Sequence, residues 1–144
     1  MDWKTEAIKD LKSYPQRKEA IKNLKARIKI LEDKFVSLKG ISIEEPVRGG
    51  MSRQEERWID NIAERERLEM SLNIAQEMVD LTERGLEVLD ERERQVIDGL
   101  YIEPSGAGID FLCDSLNMAK SSLYRLKDEA LRKFTLAEYG PVEI

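Results

Sequence analysis

The sequence predicts an all-α protein, and three observations lead to this prediction. Glycine and proline are sparse, with 8 and 4 residues in 144, so that long helices are seldom interrupted. Charged residues make up 37% of the chain, which is typical of helices with much solvated surface. Apolar residues recur at steps of three and four, which is the spacing of one face of a helix.

Residues 1–85 are predicted to form a helical hairpin, a coiled-coil-like part for oligomerisation or interaction. A short helix is expected over residues 2–12, with Pro15 separating it from the next helix. We call the heptad-spaced apolar side chains that follow the seam: Ile21, Leu24, Ile28, Leu31, Phe35 and Leu38. We expect the seam to join two subunits in a homodimer; the alternative is that it packs within the same chain.

The second half of the hairpin is predicted to begin after a loop at residues 40–52, which is rich in glycine. Ser52 and Glu55 have the spacing of a capping box, which predicts a helix from Arg53 to about Glu83. Gly85 is expected to close this helix as a C-cap.

A second domain is predicted over residues 86–144. Asp90 and Glu93 again have capping-box spacing and predict a short helix, which a turn at residues 104–108 ends. Within residues 109–134 the apolar positions fit two helices on either side of a tight turn, with Met118 as its buried anchor. This arrangement is typical of a helix-turn-helix.

The residues at the constrained positions of this motif suit it. Cys113 is small enough for the close approach of the two helices, and Asn117 tolerates the left-handed conformation of a sharp turn. Recognition helices enter the major groove with their N-terminal residues. We therefore predict that the outward-facing side chains of the second helix bind DNA: Lys120, Ser121, Ser122, Tyr124, Arg125, Arg132 and Lys133.

The charge distribution supports this location, although the whole chain has a net charge of −5. Residues 119–134 contain five lysine and arginine residues against two acidic ones, and the N-terminal residues 1–39 are also basic. The acidic excess therefore lies outside the predicted recognition helix.

The stretch LDERERQVIDGLYI, followed by IDFLCDSLNMAKSSLYRLKDEALRKF, resembles region 4 of sigma-70-type factors. The second part matches without a gap from Ile109 to Phe134. Two residues depart from the family pattern. Asn117 replaces the usual turn glycine, and Ala119 replaces the serine that caps the recognition helix, so that Ser121 or Ser122 is expected to take over the cap.

The layout of a coiled-coil-like part followed by a region-4-like helix-turn-helix resembles phage late-gene transcription regulators of the ArpU/RinA kind. The resemblance implies a phage or prophage regulator that binds double-stranded DNA at a promoter, with RNA polymerase as a second candidate partner. Two alternatives stay open at this point. One is a DNA-packaging subunit like the small terminases, and the other is a polymerase-binding adaptor without DNA contact.

The composition argues against an enzyme, a metal site or a cofactor. The chain has no histidine and a single cysteine, Cys113, which leaves no Ser-His or Cys-His pair and no His/Cys zinc site. Cys113 is expected to be a packing residue. No apolar run is long enough for a membrane span, and we expect a cytoplasmic protein.

Overall fold

The computed structural model describes residues 1–40, 53–104, 106 and 108–144, and it is all-helical, as the sequence predicted. These residues contain no β-strand. The helices are α1 (Trp3–Gly40), α2 (Arg53–Glu87), α3 (Glu91–Ile97), α4 (Gly108–Leu116) and α5 (Lys120–Tyr139), and a π-helical turn (Asp98–Ile102) continues α3. No helix in this part of the chain has the length and apolar character needed to cross a membrane.

The chain forms two compact units, and their boundaries do not coincide with a single division at residue 85. Unit 1 combines residues 1–17 with residues 77–144, and unit 2 consists of residues 18–76. The N-terminal segment belongs to unit 1 because Ala7 and Leu11, both fully buried, pack in one cluster with residues of the C-terminal half. That residues 1–85 and 86–144 form two domains stays a prediction.

Unit 2 is an antiparallel pair formed by the second part of α1 and the first part of α2. Nε2 of Gln54 donates to the Leu38 carbonyl oxygen at 2.6 Å, and Nδ2 of Asn61 donates to that of Leu31 at 2.8 Å. Later positions of α2 therefore contact earlier positions of α1, as in an antiparallel pair. The same arrangement brings the rings of Phe35 and Trp58 to 6.3 Å between centroids.

The seam of α1 packs within the chain in unit 2. Ile21 and Ile28 are buried at 8% exposure, and the other four seam side chains are half-buried. The expectation that the seam is left open for a second subunit is therefore wrong. The drifting apolar pattern of α2 does not prevent this packing, because α2 meets the seam with residues of mixed character, such as Asn61 and Leu68.

Helix α1 runs through Pro15 without a break, so the predicted separation into two helices is wrong. A proline inside a helix removes one backbone hydrogen bond and costs about 3 kcal/mol. Packing on the preceding turn compensates for this cost. Leu11 is fully buried, and the buried Tyr14 donates its hydroxyl to Oε1 of Glu83 at 2.8 Å.

Gly85 lies inside α2, which ends at Glu87, so the prediction of a C-cap at Gly85 is also wrong. A β-carbon at this position would lie 2.6 Å from Cε2 of Phe134. The glycine therefore allows the ring of Phe134, which is fully buried, to contact the backbone of α2.

The starts of α2 and α3 were each predicted from the spacing of a capping box. Helix α2 begins at Arg53, as expected, and α1 extends through Gly40, the first residue of the predicted loop at 40–52. Ser52 and the rest of that loop lie outside the described residues. For α3 the capping box is confirmed: Asp90 accepts from the Glu93 backbone N–H at 2.8 Å, and the Glu93 side chain accepts from that of Asp90 at 3.0 Å. Of the predicted turn at 104–108, Ser105 and Ala107 lie outside the described residues.

The helix-turn-helix part of unit 1 has its own cluster of buried side chains. Val96 of α3, Leu112 and Leu116 of α4 and Leu123 of α5 form this cluster, and the half-buried Cys113 and Met118 pack against it. The three helices are thereby fixed to one another around the turn.

Candidate nucleic-acid interface

Helices α4 and α5 are joined by the tight turn of residues 117–119. Asn117 has a φ of 54°, the left-handed conformation that the sequence predicted for it. The Met118 N–H donates to the Cys113 carbonyl oxygen at 3.0 Å, which closes the end of α4. Met118 packs against the cluster and gives the turn an apolar anchor, although it is half-buried rather than buried as predicted.

A second contact from α3 fixes the end of α4. Nη2 of Arg92 donates to the Leu116 carbonyl oxygen at 3.0 Å, next to the left-handed residue. Arg92 was not singled out by the sequence, because an arginine in a highly charged helix looks like an ordinary solvated residue. Its role depends on a contact between residues 24 positions apart.

The N-terminus of α5 begins without a side-chain cap. Ala119 is the N-cap residue, with an extended backbone, and the helix starts at Lys120. The expectation that Ser121 or Ser122 caps the helix is therefore wrong; both lie inside its first turn and are exposed. There is no acidic residue in the first turn, so the helix start keeps the positive character of its unsatisfied N–H groups.

The predicted contact residues at the start of α5 are brought together on the surface. Five of them are exposed: Lys120, Ser121, Ser122, Tyr124 and Arg125. The intervening Leu123 is 1% exposed and points into the core, which fixes the rotation of the helix and leaves these five side chains outward. We call this set the α5 N-terminal surface.

Lys127 adds a cation to this surface and was missed by the sequence reasoning. Its Nζ lies 5.3 Å from the centroid of the Tyr124 ring, a distance suited to a cation–π interaction, and 3.4 Å from Oδ1 of Asp128. The spacing of three residues between Tyr124 and Lys127 on a helix is the signal that could have indicated it.

Arg132 and Lys133 lie apart from the α5 N-terminal surface. They follow Arg125, the last residue of that surface, by seven and eight residues, which corresponds to about 10–12 Å along a helix. Arg132 is exposed and lies 3.6 Å from Oε1 of Glu129. Lys133 reaches back to α3, where its Nζ lies 3.0 Å from Oε2 of Glu93.

The Lys133–Glu93 pair has a structural role that the sequence did not predict. Glu93 is only 2% exposed, and its hydrogen bond to Lys133, the largest influence, raises the pKa of the lysine ammonium. Glu93 is also part of the capping box of α3. One lysine therefore neutralises the buried carboxylate and ties α5 to the start of α3.

We expect Lys133→Ala to lower the melting temperature, because it leaves the Glu93 carboxylate buried without its cation. Thermal unfolding followed by circular dichroism measures this. Arg132→Ala is the matched control, since Arg132 is the neighbouring cation and its partner Glu129 is exposed. Equal melting temperatures for the two variants would contradict a stabilising role of the Lys133–Glu93 pair.

The first turn of α5 contains no acidic residue, whereas exposed acidic side chains lie on α4 and, further along α5, at Asp128 and Glu129. Helix α4 exposes Asp110 and Asp114, together with Phe111, whose side chain is 54% exposed. In the described part of the chain, no group of three or more side chains is arranged to hold a metal ion.

Comparisons with protein-family models, curated proteins and solved structures gave no match to this chain.

Proposed function

We propose that the protein is a sequence-specific regulator of transcription in a phage or prophage, and that it binds double-stranded DNA at a promoter. The proposal is carried by one observation. An uncapped helix start without acidic residues coincides with the exposed, basic and hydroxyl-bearing α5 N-terminal surface, directly after a helix-turn-helix turn.

Each part of this surface suits a different contact with DNA. The N–H groups at the start of α5 and the ammonium of Lys120 suit phosphate oxygens, because a helix N-terminus favours negative charge. Arg125 is the last residue of the surface along α5, and an arginine can bind the O6 and N7 atoms of guanine with two hydrogen bonds. Tyr124 and the two serines can donate to either phosphates or bases.

The acidic side chains of α4 favour one orientation on DNA. Asp110 and Asp114 would repel phosphates, so the duplex is expected to approach α5 at its N-terminus rather than the exposed side of α4. In this orientation the exposed Phe111 stays accessible. RNA polymerase remains a second candidate partner, and a homodimer is the form in which we expect the protein to bind.

The first test is selection of bound sequences from a pool of random duplexes with the full-length protein, followed by titration of the selected duplex. We expect one enriched motif and an affinity that falls as the salt concentration rises, because bound phosphates release counterions. Binding of all duplexes with equal affinity, or of none, would contradict the proposed function.

Arg125→Ala is then expected to weaken binding of the selected duplex by about 1–3 kcal/mol and to relax the preference at one base pair. Fluorescence anisotropy with the selected duplex and its single-base variants measures both effects. Arg57→Ala is the control, because Arg57 is an exposed arginine of unit 2. Equal affinities of the two variants would show that Arg125 reads no base.

A further inference from the structure

Helix α2 has a second apolar side in unit 2, which we call the outer face and define as Ile59, Ala63, Met70 and Ile74. With about 100° between successive residues, these four positions lie within roughly 60° of one another around the helix. All four are exposed, with Ile59 at 49%, Met70 at 67% and Ile74 at 54%.

The outer face is distinct from the side of α2 that packs on α1. Asn61 and Leu68, which are 6% and 4% exposed, lie roughly opposite it around the helix. A charged surface helix ordinarily has a single apolar side. A second one, about 22 Å long from Ile59 to Ile74, indicates a contact with another molecule.

The charges beside the outer face favour a second copy of this chain. Glu66 and Arg67 lie at its middle and, being consecutive, point to its two opposite edges. Arg67 already binds Glu64 through Nε and Nη2, at 3.1 and 2.6 Å, which holds its guanidinium at this position. A guanidinium has five N–H donors, so it can donate to a further carboxylate.

The relative direction of the two copies follows from symmetry. In a parallel pair, the two-fold axis runs along the helices and brings the Glu66 edge of each copy beside the Arg67 edge of the other. In an antiparallel pair centred on these residues, the axis is perpendicular to the helices and brings like edges together. Opposite charges are therefore adjacent only in the parallel pair.

We infer that the outer face of α2 is the interface of a parallel homodimer. Burial of Ile59, Met70 and Ile74 supplies the attraction. The exposed Glu66 and Arg67 contribute little affinity and select the direction. This assignment extends the proposed function, in which two copies bind one DNA site.

Sedimentation of the full-length protein without DNA tests the interface. We expect a dimer at tens of micromolar and a monomer for Met70→Glu combined with Ile74→Glu, because the contact would bury carboxylates. Helicity is expected to stay unchanged, since both side chains are exposed in the subunit. Val36→Glu is the control, as Val36 is 68% exposed on α1, and it should remain a dimer.

Three results would overturn the interface. They are a wild-type monomer at these concentrations, a double variant that stays dimeric, and an assembly of more than two subunits, which would instead favour the packaging alternative. A dimer that selects no DNA sequence would contradict the proposed function alone. A monomer that binds a selected sequence would contradict the interface alone.

Cross-linking tests the direction of the helices. In a Cys113→Ser background, Ile59→Cys is expected to form a disulfide-linked dimer on mild oxidation, because a parallel pair places both copies of residue 59 side by side. The antiparallel pair would separate them by about 22 Å, whereas a disulfide needs α-carbons within about 7 Å. Val36→Cys should not cross-link, and a dimer in which Ile59→Cys does not cross-link overturns the parallel arrangement.

Discussion

Replacing Leu11 by alanine is expected to destabilise unit 1, and with it the helix-turn-helix, by about 2–5 kcal/mol. Leu11 is fully buried and belongs to the same cluster as Leu86, Ile97 and Phe134. Truncation removes apolar contacts and leaves a cavity that the surrounding helices fill only in part. A residue near the N-terminus is thus expected to control the stability of a motif that begins about a hundred residues later.

Urea unfolding followed by tryptophan fluorescence measures this effect. The ring of Trp3 lies 5.1 Å from that of Tyr139 in unit 1, so a Trp58→Phe background reports on this unit. Ile30→Ala is the matched control on the same helix, because Ile30 is 53% exposed, and we expect it to change stability by no more than about 0.5 kcal/mol. Equal midpoints for the two variants would mean that α1 contributes nothing to the stability of unit 1.

The features predicted correctly from the sequence are those that depend on neighbouring residues. The capping box of Asp90 and Glu93 is closed by residues three positions apart, and the turn at Asn117 follows from the conformations that asparagine tolerates. The all-α class follows from composition and periodicity in the same way. Each of these signals is contained in a short stretch of chain.

The features predicted wrongly depend on distant residues. The local preference of Pro15 predicts a separation into two helices, but α1 is continuous there because Leu11 and Tyr14 pack in the core. In the sequence, Gly85 is compatible both with a C-cap and with a close contact between helices. Only the position of Phe134 distinguishes these two roles.

The predicted DNA-binding residues show the same division. The outward position of the start of α5 follows from Leu123 in the local apolar pattern. The pairing of Lys133 with Glu93 joins residues 40 positions apart, so it could not be predicted from the local pattern. Local pattern therefore indicates which side of a helix is exposed, whereas tertiary contacts decide which exposed charges are already neutralised.

A carboxyl pair in unit 1 is expected to make its stability depend on pH. Asp10 of α1 accepts a hydrogen bond from Nη1 of Arg17 at 2.9 Å and another from the hydroxyl of Tyr139. Glu138 of α5 lies beside Asp10, and Glu6 lines the same cleft. Among the described residues, Oε2 of Glu138 is buried without a hydrogen-bond donor.

The surroundings of Glu138 therefore favour a proton on this carboxyl group that is shared with Asp10. Burial, followed by the hydrogen bond to Asp10 and its charge, raises the pKa of Glu138 to about 9, although Arg17 acts in the opposite direction. Burial alone would raise the pKa of Asp10 as well. Hydrogen bonds from Glu138, Tyr139 and Arg17 outweigh it and lower the pKa of Asp10.

The sign of the pH dependence follows from proton binding. Between the ordinary glutamate pKa of 4.5 and about 9, the folded protein holds a proton on Glu138 that the unfolded chain releases. The free energy of unfolding should therefore fall as the pH rises through this window. One proton corresponds to at most about 1.4 kcal/mol per pH unit, and solvent near the pair narrows the pH window over which this slope applies.

Glu138→Gln is expected to remove this dependence, because an amide keeps a donor toward Asp10 and cannot ionise. Its unfolding free energy, measured in urea from about pH 5 to about pH 9, should exceed that of the wild type increasingly toward alkaline pH. Glu143→Gln is the matched control, since Glu143 is an exposed carboxylate near the C-terminus, and it should keep the wild-type slope. A Glu138→Gln variant whose stability falls as steeply with pH as that of the wild type would show that the shared proton does not stabilise the fold.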